Sequence, residues 1–440
     1  MTSPPSARAL ALDALVRVEE GAYSNIVLPA MLRESSLSAR DRAFVTNLVY
    51  GTIRRTRALD HVLGAVAERP LTQLDPPVRA ALRLGAAQLL DGVSAHAAVS
   101  ETVEAAGPRA PRARGFVNAV LRKLARLGPP WPLPQGDTVD AVAVRTSHPD
   151  WIVERLYADL GPDDAAGVLA SDNLAPAVTL RVNRRRTTVD DVAAELTAGG
   201  AHVSRGALVP DALVVSGTGD PAALPAVAEG RATPQDQASQ AVVALLDLQP
   251  SHRVLDVAAG PGGKAAAAGE IVGEGGLVVA VELHPARTRL TARAARRLGV
   301  MSVDALAADA RRLPVRATHG FDRVLVDAPC SGLGVLRRRP EARFRIQPGD
   351  VDTLARRQRE LLAAAVPHLR PGGRLVYSVC TLTNAETVEI DEWVADAFPQ
   401  LVPEPPPAAP WRPRGRGALL LPQAAGTDGM FVLTLRSVGS

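Results

Sequence analysis

Two cysteines in a chain of 440 residues follow two apolar runs. One stretch reads Val324-Leu325-Val326-Asp327-Ala328-Pro329-Cys330-Ser331-Gly332, the other Leu375-Val376-Tyr377-Ser378-Val379-Cys380-Thr381. A free cysteine most often serves as a small core hydrophobe. Here neither thiol lies inside its run. Each comes just after it, beside a polar loop, at the carboxyl end of an expected strand, where α/β sheets place their ligands. A single disulfide would add little to a chain long enough to bury a large core. Thiols at the rim of a cleft suit nucleophilic addition instead.

The elements that must position them repeat as strand and helix. Strands are expected at 253–258, 277–282, 303–308, 322–327 and 373–379, and helices at 264–273, 285–298, 351–369 and 384–398. Such alternation implies βαβ units and a parallel sheet. The first strand runs into Ala258-Ala259-Gly260-Pro261-Gly262-Gly263-Lys264. Glycines there let backbone approach a ligand at a helix N-terminus. The stretch lacks the spacing of a phosphate-cradling Walker loop, and Ala265 stands where that loop has Ser or Thr. The second strand ends in Glu282, placed to accept from ribose hydroxyls; the third ends in Asp309 and the fourth in Asp327. A glycine loop and three acids at four successive strand ends outline one crevice for a nucleoside. Without a phosphate cradle, that nucleoside reads as S-adenosylmethionine. The thiols beside it fit methylation of a cytosine: sulfur adds to carbon-6, and carbon-5 then becomes nucleophilic enough to take the methyl group.

Residues 1–128 read as all-helical, with apolar stripes such as Leu10, Ala11, Ala14, Leu15 and Val18. A Pro-rich linker is expected over 129–145, a small α+β unit over 146–232, and the α/β unit over 233–440. Hydrophobic residues make up 47% of the chain, yet no run approaches the roughly 20 residues of a membrane span. Met1-Thr2-Ser3-Pro4-Pro5 carries no secretory pattern, so a cytoplasmic protein with reduced thiols is expected. Neither a metal nor a membrane partner is expected, and the chain is taken as a monomer. Net charge is only +4, and two of the 50 Lys and Arg are lysines, Lys123 and Lys264. Arginines cluster at Arg54-Arg55 with Arg57, at Arg184–Arg186, at Arg311-Arg312 and at Arg337–Arg339. Clustered guanidinium groups favour a phosphate-bearing partner such as RNA.

The motifs Asp327–Gly332, Ser378–Thr381 and Ala259–Lys264 resemble, in order and spacing, the signature motifs of the Sun (Fmu) family of RNA cytosine-5 methyltransferases. Leu421-Pro422 with Thr427-Asp428-Gly429-Met430-Phe431 resembles that family's closing motif. Leu48–Arg54 and Gly115–Arg122 resemble the NusB-like domain of its 16S rRNA branch. The resemblance implies an all-α NusB-like RNA-binding domain, a small α+β domain and a Rossmann-like methyltransferase domain acting on 16S rRNA. It makes Cys380 the nucleophile and gives Cys330 a part in breaking down the adduct. Lys264 and Asp327 are expected near the target base. Residues 258–264 with Glu282, Asp309 and Asp327 are expected to hold S-adenosylmethionine. The chain departs from the family pattern at Ala258, Gly260 and Ala265 in the loop, at Val379 in place of Thr, and at Asn384-Ala385-Glu386. Two other readings are the same chemistry on tRNA and a non-catalytic, antitermination-type RNA-binding protein. Two intact cysteines and a complete acid series favour catalysis.

Overall fold

Apolar residues recur every third or fourth position up to Leu127, and a chain so patterned hides them by packing helix on helix. A computed structural model describes residues 6–315 and 320–438; Met1–Pro5, read above for a secretory pattern, lie outside the described residues. Between Ala7 and Leu127 it forms seven α-helices among the described residues. Ser6, Ser38 and Ser94 cap three of them by accepting a backbone N–H, and Pro76 and Pro77 open a fourth. Leu12, Leu28, Leu59, Leu82 and Leu121 sit fully buried in one core. No helix among the described residues is long and apolar enough to cross a membrane.

The Pro-rich stretch is more ordered than its composition suggests. Trp131 is buried in the helical core and donates from Nε1 to Leu124 O at 3.2 Å. A helix, Val139–Thr146, begins inside the segment expected to be a linker. An indole with an apolar body gains more from burial than a stiff spacer gains from solvation.

The chain divides into two compact units. One comprises residues up to Ala175 together with Leu336–Ile346, and the other comprises Pro176–Val335 and Gln347–Ser440. In the first, the 336–346 segment is bound by buried polar contacts. Glu341 accepts from Ser24 N at 3.0 Å and from Ser24 Oγ at 2.7 Å. Arg343, fully buried, donates to Asp172 O, Asn173 Oδ1 and Ser147 O at 3.0–3.2 Å. The arginines at 54–57 are likewise built into this unit. Arg54 is buried and donates to Arg337 O, Arg55 holds Asp91 by two bonds of 2.6 and 2.8 Å, and Arg57 pairs with Asp140 and Asp150. Only Arg54 of this cluster is buried, whereas Arg55 and Arg57 stay partly exposed in ion pairs with surface carboxylates.

The second unit holds two sheets. Strands β1 (Val178–Val182), β2 (His202–Arg205), β3 (Ala212–Ser216) and β4 (Ala232–Pro234) form an antiparallel sheet in the order β2-β3-β1-β4. It is tied to two of the helices packed on the larger sheet. Arg181 on β1 pairs with Glu270 in the helix Gly263–Val272, and Asn183 Nδ2 donates to Leu298 O at the end of the helix Pro285–Leu298. The larger sheet contains β5 (Arg253–Asp256), β6 (Leu277–Glu282), β7 (Val303–Ala307), β8 (Phe321–Asp327), β9 (Leu369–Val379), β10 (Leu401–Pro403), β11 (Arg412–Arg414), β12 (Gly417–Leu420) and β13 (Met430–Ser437). Its order is β11-β12-β13-β9-β8-β5-β6-β7, with β10 beside β13. Strands β5 to β9 are parallel, as expected. The antiparallel extension β10–β13 was not among the expected strands. The sheet order reverses between β5 and β8, the topological switch point where open α/β sheets bind ligands.

Arg343→Met should destabilise the first unit by about 3 kcal/mol or more, since it strips donors from several buried carbonyls. Calorimetry would show the lowest-temperature transition moving down; an unchanged transition would mean that these contacts contribute nothing net.

Candidate active site

The carboxyl ends of β5, β6, β8 and β9 carry most of the residues singled out in the sequence. After β5 the chain turns at Gly260 (φ +56°) and Gly262 (φ +84°) into the helix Gly263–Val272. Ala259 N donates to Val281 O, and Gly260 O accepts from Thr291 Oγ1 at 3.0 Å, so the loop is pinned to its neighbours. A Cβ on Gly262 would lie 2.5 Å from Thr291 Cγ2 and 2.8 Å from its Cα. Glycine is required there both for the positive φ and for the close approach of the next helix. The first-turn amides of Gly263–Val272 open at this end, where a helix favours an electron-rich ligand. Ala258, Pro261 and Gly263 complete the loop.

Glu282 ends β6 and is buried. Its Oε1 accepts from His284 N at 2.9 Å, while Oε2 has no protein partner among the described residues. That leaves an acceptor for a ribose hydroxyl. Asp309 lies just beyond β7, and both of its oxygens are engaged by the Arg311 guanidinium at 2.7–3.1 Å. Those hydrogen bonds hold its carboxyl down at about 2. A nucleoside contact from Asp309 must share it with Arg311, a partner that the sequence reading did not foresee.

Asp327 ends β8 and is the hub of the polar cleft. Lys264 Nζ donates to Oδ2 at 2.6 Å and Ser378 Oγ to Oδ1 at 2.7 Å. Burial works to lower the Lys264 ammonium, but the Asp327 carboxylate, with smaller contributions from Cys380 and Asp256, holds it above its usual value. Asp256, at the end of β5, was not singled out in the sequence. It is buried, and neither carboxylate oxygen has a hydrogen-bond partner among the described residues. Burial, reinforced by the nearby Asp327 charge, pushes it up to about 7. Its signal in the sequence was faint: an acid interrupting the apolar run Val254–Ala258.

The two thiols meet. Cys330 Sγ and Cys380 Sγ are 3.3 Å apart and both are free. Their contact, then burial, then the charges of Cys380 and Glu386 push the Cys330 thiol up. Cys380 follows β9 directly, and its carbonyl accepts from Gly334 N at 3.0 Å. Gly334 O in turn accepts from Gly429 N at 2.8 Å. Gly334 has no room for a side chain, because a Cβ there would lie 2.5 Å from Gly429 O. This ties the closing motif Thr427–Phe431, through Gly334, to the Cys380 backbone. Val379, where the family pattern has Thr, is fully buried and opposite Phe431 on β13. Hydroxyls come instead from its neighbours: Ser378 serves Asp327, and Thr381 serves Glu386.

Glu386 is a further residue that the sequence reading noted only as a departure. The helix expected over 384–398 is broken there. Asn384–Glu386 is a 3-10 turn, Thr387 is non-helical, and the α-helix runs from Val388 to Ala397. The Glu386 carboxylate turns inward to the two thiol loops, a direction that a continuous helix would not allow.

The Asp256 carboxyl has a sign-definite consequence for stability. Its proton is held more tightly in the folded state, so its contribution is fully present below the unfolded value near 3.8 and is lost as pH rises towards about 7. Asp256→Asn should therefore gain on the native protein by a few kcal/mol between pH values of about 4 and 7. Urea midpoints for the two proteins that keep a constant spacing across that range would refute the assignment.

Comparisons with known proteins cover each part of this architecture. Residues 243–436 match the family described as 16S rRNA methyltransferase RsmB/F. Residues 5–126 match the NusB family, and residues 148–220 match the ferredoxin-like domain of RsmF/B-like methyltransferases. The chain is 42% identical to a putative methyltransferase of Mycobacterium tuberculosis, over 98% of this chain and 96% of that one. It is 37% identical to the ribosomal RNA small subunit methyltransferase B of Thermus thermophilus, over 98% of each. The crystal structure of PH0851 shares the fold with a TM-score of 0.85, at 26% identity over 99% of each chain. A NusB-like helical domain, a ferredoxin-like sheet and a switch-point cleft thus occur together here, and the chain belongs to the RsmB/F family of S-adenosylmethionine-dependent rRNA methyltransferases.

Proposed function

We propose that this enzyme methylates carbon-5 of a cytosine in 16S rRNA through a covalent adduct on Cys380. The observation that carries the reading is the pair of free thiols 3.3 Å apart, at the ends of adjacent parallel strands and beside the Lys264–Asp327 ion pair. A base must leave its stack to reach such a cleft. S-adenosylmethionine, when bound, supplies an electrophilic methyl group. The protein residues do the rest. Glu282 takes the ribose hydroxyls, and the 258–264 loop lines the methionine end with backbone groups. Asp309 and Asp327 complete the cofactor side.

The Cys380 thiolate adds to carbon-6, and the electron pair released onto carbon-5 forms the new bond to the methyl carbon. Lys264 lies in the field of Cys380 and can balance charge as the ring becomes electron-rich. In release, the carbon-5 proton leaves, its electron pair restores the carbon-5–carbon-6 double bond, and the bond to the Cys380 sulfur breaks. Cys330 holds its proton because of the thiol contact and burial. It gives that proton to the departing sulfur and takes up the one from carbon-5.

Cys380→Ala should abolish methyl transfer while S-adenosylmethionine affinity stays within a few-fold. Cys330→Ala should instead accumulate a protein–RNA complex that survives denaturing electrophoresis, dependent on cofactor and absent from the double variant. Trapping by Cys380→Ala and not by Cys330→Ala would reverse the two roles. On the cofactor side, Glu282→Ala should weaken S-adenosylmethionine binding by about 1–3 kcal/mol, as for hydrogen bonds to a charged group. Calorimetry giving an unchanged dissociation constant would remove Glu282 from the site.

A further inference from the structure

Glu386 takes no part in the chemistry described above, yet it is fully buried at the back of the thiol pair. Its Oε1 accepts from Ser331 N at 2.8 Å and from Gln358 Nε2 at 3.0 Å. Its Oε2 accepts from Ser331 Oγ at 2.5 Å, Thr383 Oγ1 at 2.9 Å and Thr381 Oγ1 at 3.1 Å. Ser331 is the residue after Cys330, and Thr381 is the residue after Cys380. Gln358 also donates to Pro329 O, on the other side of Cys330, at 3.0 Å. Tyr377 OH lies 2.8 Å from Glu386 O and 3.0 Å from Gln358 Oε1, so the group is anchored to β9. A carboxylate is costly to bury unless donors converge on it. Four residues offer donors here, and two of them, Ser331 and Thr381, immediately follow the cysteines; their hydroxyls also lie 2.6 Å apart, one donating to the other.

The two thiols do not depend on this carboxylate equally. Cys380 is held by β9, which is paired on both sides, and by its own carbonyl bond to Gly334. Cys330 lies in a stretch, Ala328–Val335, with no helix or strand of its own. Its flanking residues are fixed through Ser331 to Glu386 and through Pro329 to Gln358.

We propose that Glu386 is a positioning residue that acts through Ser331 to hold the Cys330 sulfur against Cys380, and that it therefore governs release of the covalent adduct rather than its formation. This rests on the covalent reading of the two thiols. The Glu386 charge adds to the thiol contact and burial that keep the proton on Cys330.

The experiment uses the full-length protein with S-adenosylmethionine and 16S rRNA. It compares Glu386→Gln, Ser331→Ala, Cys330→Ala and the double variant Cys330→Ala/Glu386→Gln by turnover, cofactor affinity and the fraction of protein carried as RNA adduct on a denaturing gel. Glu386→Gln turns one acceptor oxygen into a donor facing other donors. It should lower turnover by about tenfold or more, the loss expected when hydrogen bonds to a charged acceptor go, while leaving cofactor affinity within a few-fold. It should also accumulate adduct as Cys330→Ala does. In the Cys330→Ala background it should add nothing further to adduct lifetime, because its effect runs through that sulfur. Ser331→Ala, which exposes no new charge, should shift adduct the same way to a smaller extent, and it decides the matter if Glu386→Gln does not fold.

Native turnover in folded Glu386→Gln would overturn the proposal. So would loss of turnover without adduct, as in Cys380→Ala, or a further effect on adduct lifetime in the Cys330→Ala background. Failure of Cys330→Ala itself to accumulate adduct would instead overturn the covalent reading, and this role for Glu386 with it.

Discussion

The register between β8 and β9 is the constraint on which the cleft depends. Asp327 stands opposite Ser378, so their side chains share one face and bond at 2.7 Å. Ala328 N then donates to Ser378 O, carrying the pairing past the end of the strand. A slip of one residue would turn every side chain of one strand to the other face. Asp327 would lose Ser378, Lys264 would lose its carboxylate partner, and the two sulfurs that follow these strands would no longer meet. Both strands are buried on both faces: Val324, Leu325, Val326, Leu375, Val376 and Tyr377 are all in the core.

Around that register the structure adds supports in layers. The C-terminal strands close over β9, and the Gly334–Gly429 backbone contact sets the height of the Cys380 carbonyl. The small antiparallel sheet braces the helices that carry the glycine loop and follow Glu282. Behind the thiols, a buried carboxylate gathers two loops. Each support substitutes a polar contact with a specific geometry for a hydrophobic one that would tolerate sliding. The ends of β8 and β9 are thus held by contacts of fixed geometry, as chemistry that needs closely placed reacting atoms requires.

Much of this was legible along the chain. Strand β6 and the helix Pro285–Leu298 fall where the apolar pattern and the opening proline put them, and β5, β7 and β8 differ by one or two residues. Parallel strands buried on both faces read as unbroken apolar runs and need no partner to be recognised. The antiparallel strands were harder. The run Met430–Leu435 was apolar enough, but its neighbours Arg412–Arg414 and Gly417–Leu420 are too short to announce themselves. The helix after Cys380 was misjudged at its start. Local spacing favours helix from Asn384, while Glu386 turns to Ser331, 55 residues away, as well as to nearby Thr381 and Thr383, and the α-helix starts only at Val388.

What the sequence determined by itself was the list of parts: two thiols, an acid at each of three strand ends, a glycine loop and one lysine beside it. These are local properties, since a residue type and its place at the end of an apolar run are readable without knowing what lies opposite. Only the tertiary structure decided which parts are engaged. It put the sulfurs in contact, left both Asp256 carboxylate oxygens buried without a hydrogen-bond partner among the described residues, and gave the arginines at 54–57 acceptors within their own unit. Charge and hydrogen bonding act through space over a few ångströms, and the groups that satisfy them here lie tens to hundreds of residues apart in sequence. No pattern along the chain encodes those pairings until the strands have paired and the helices have packed.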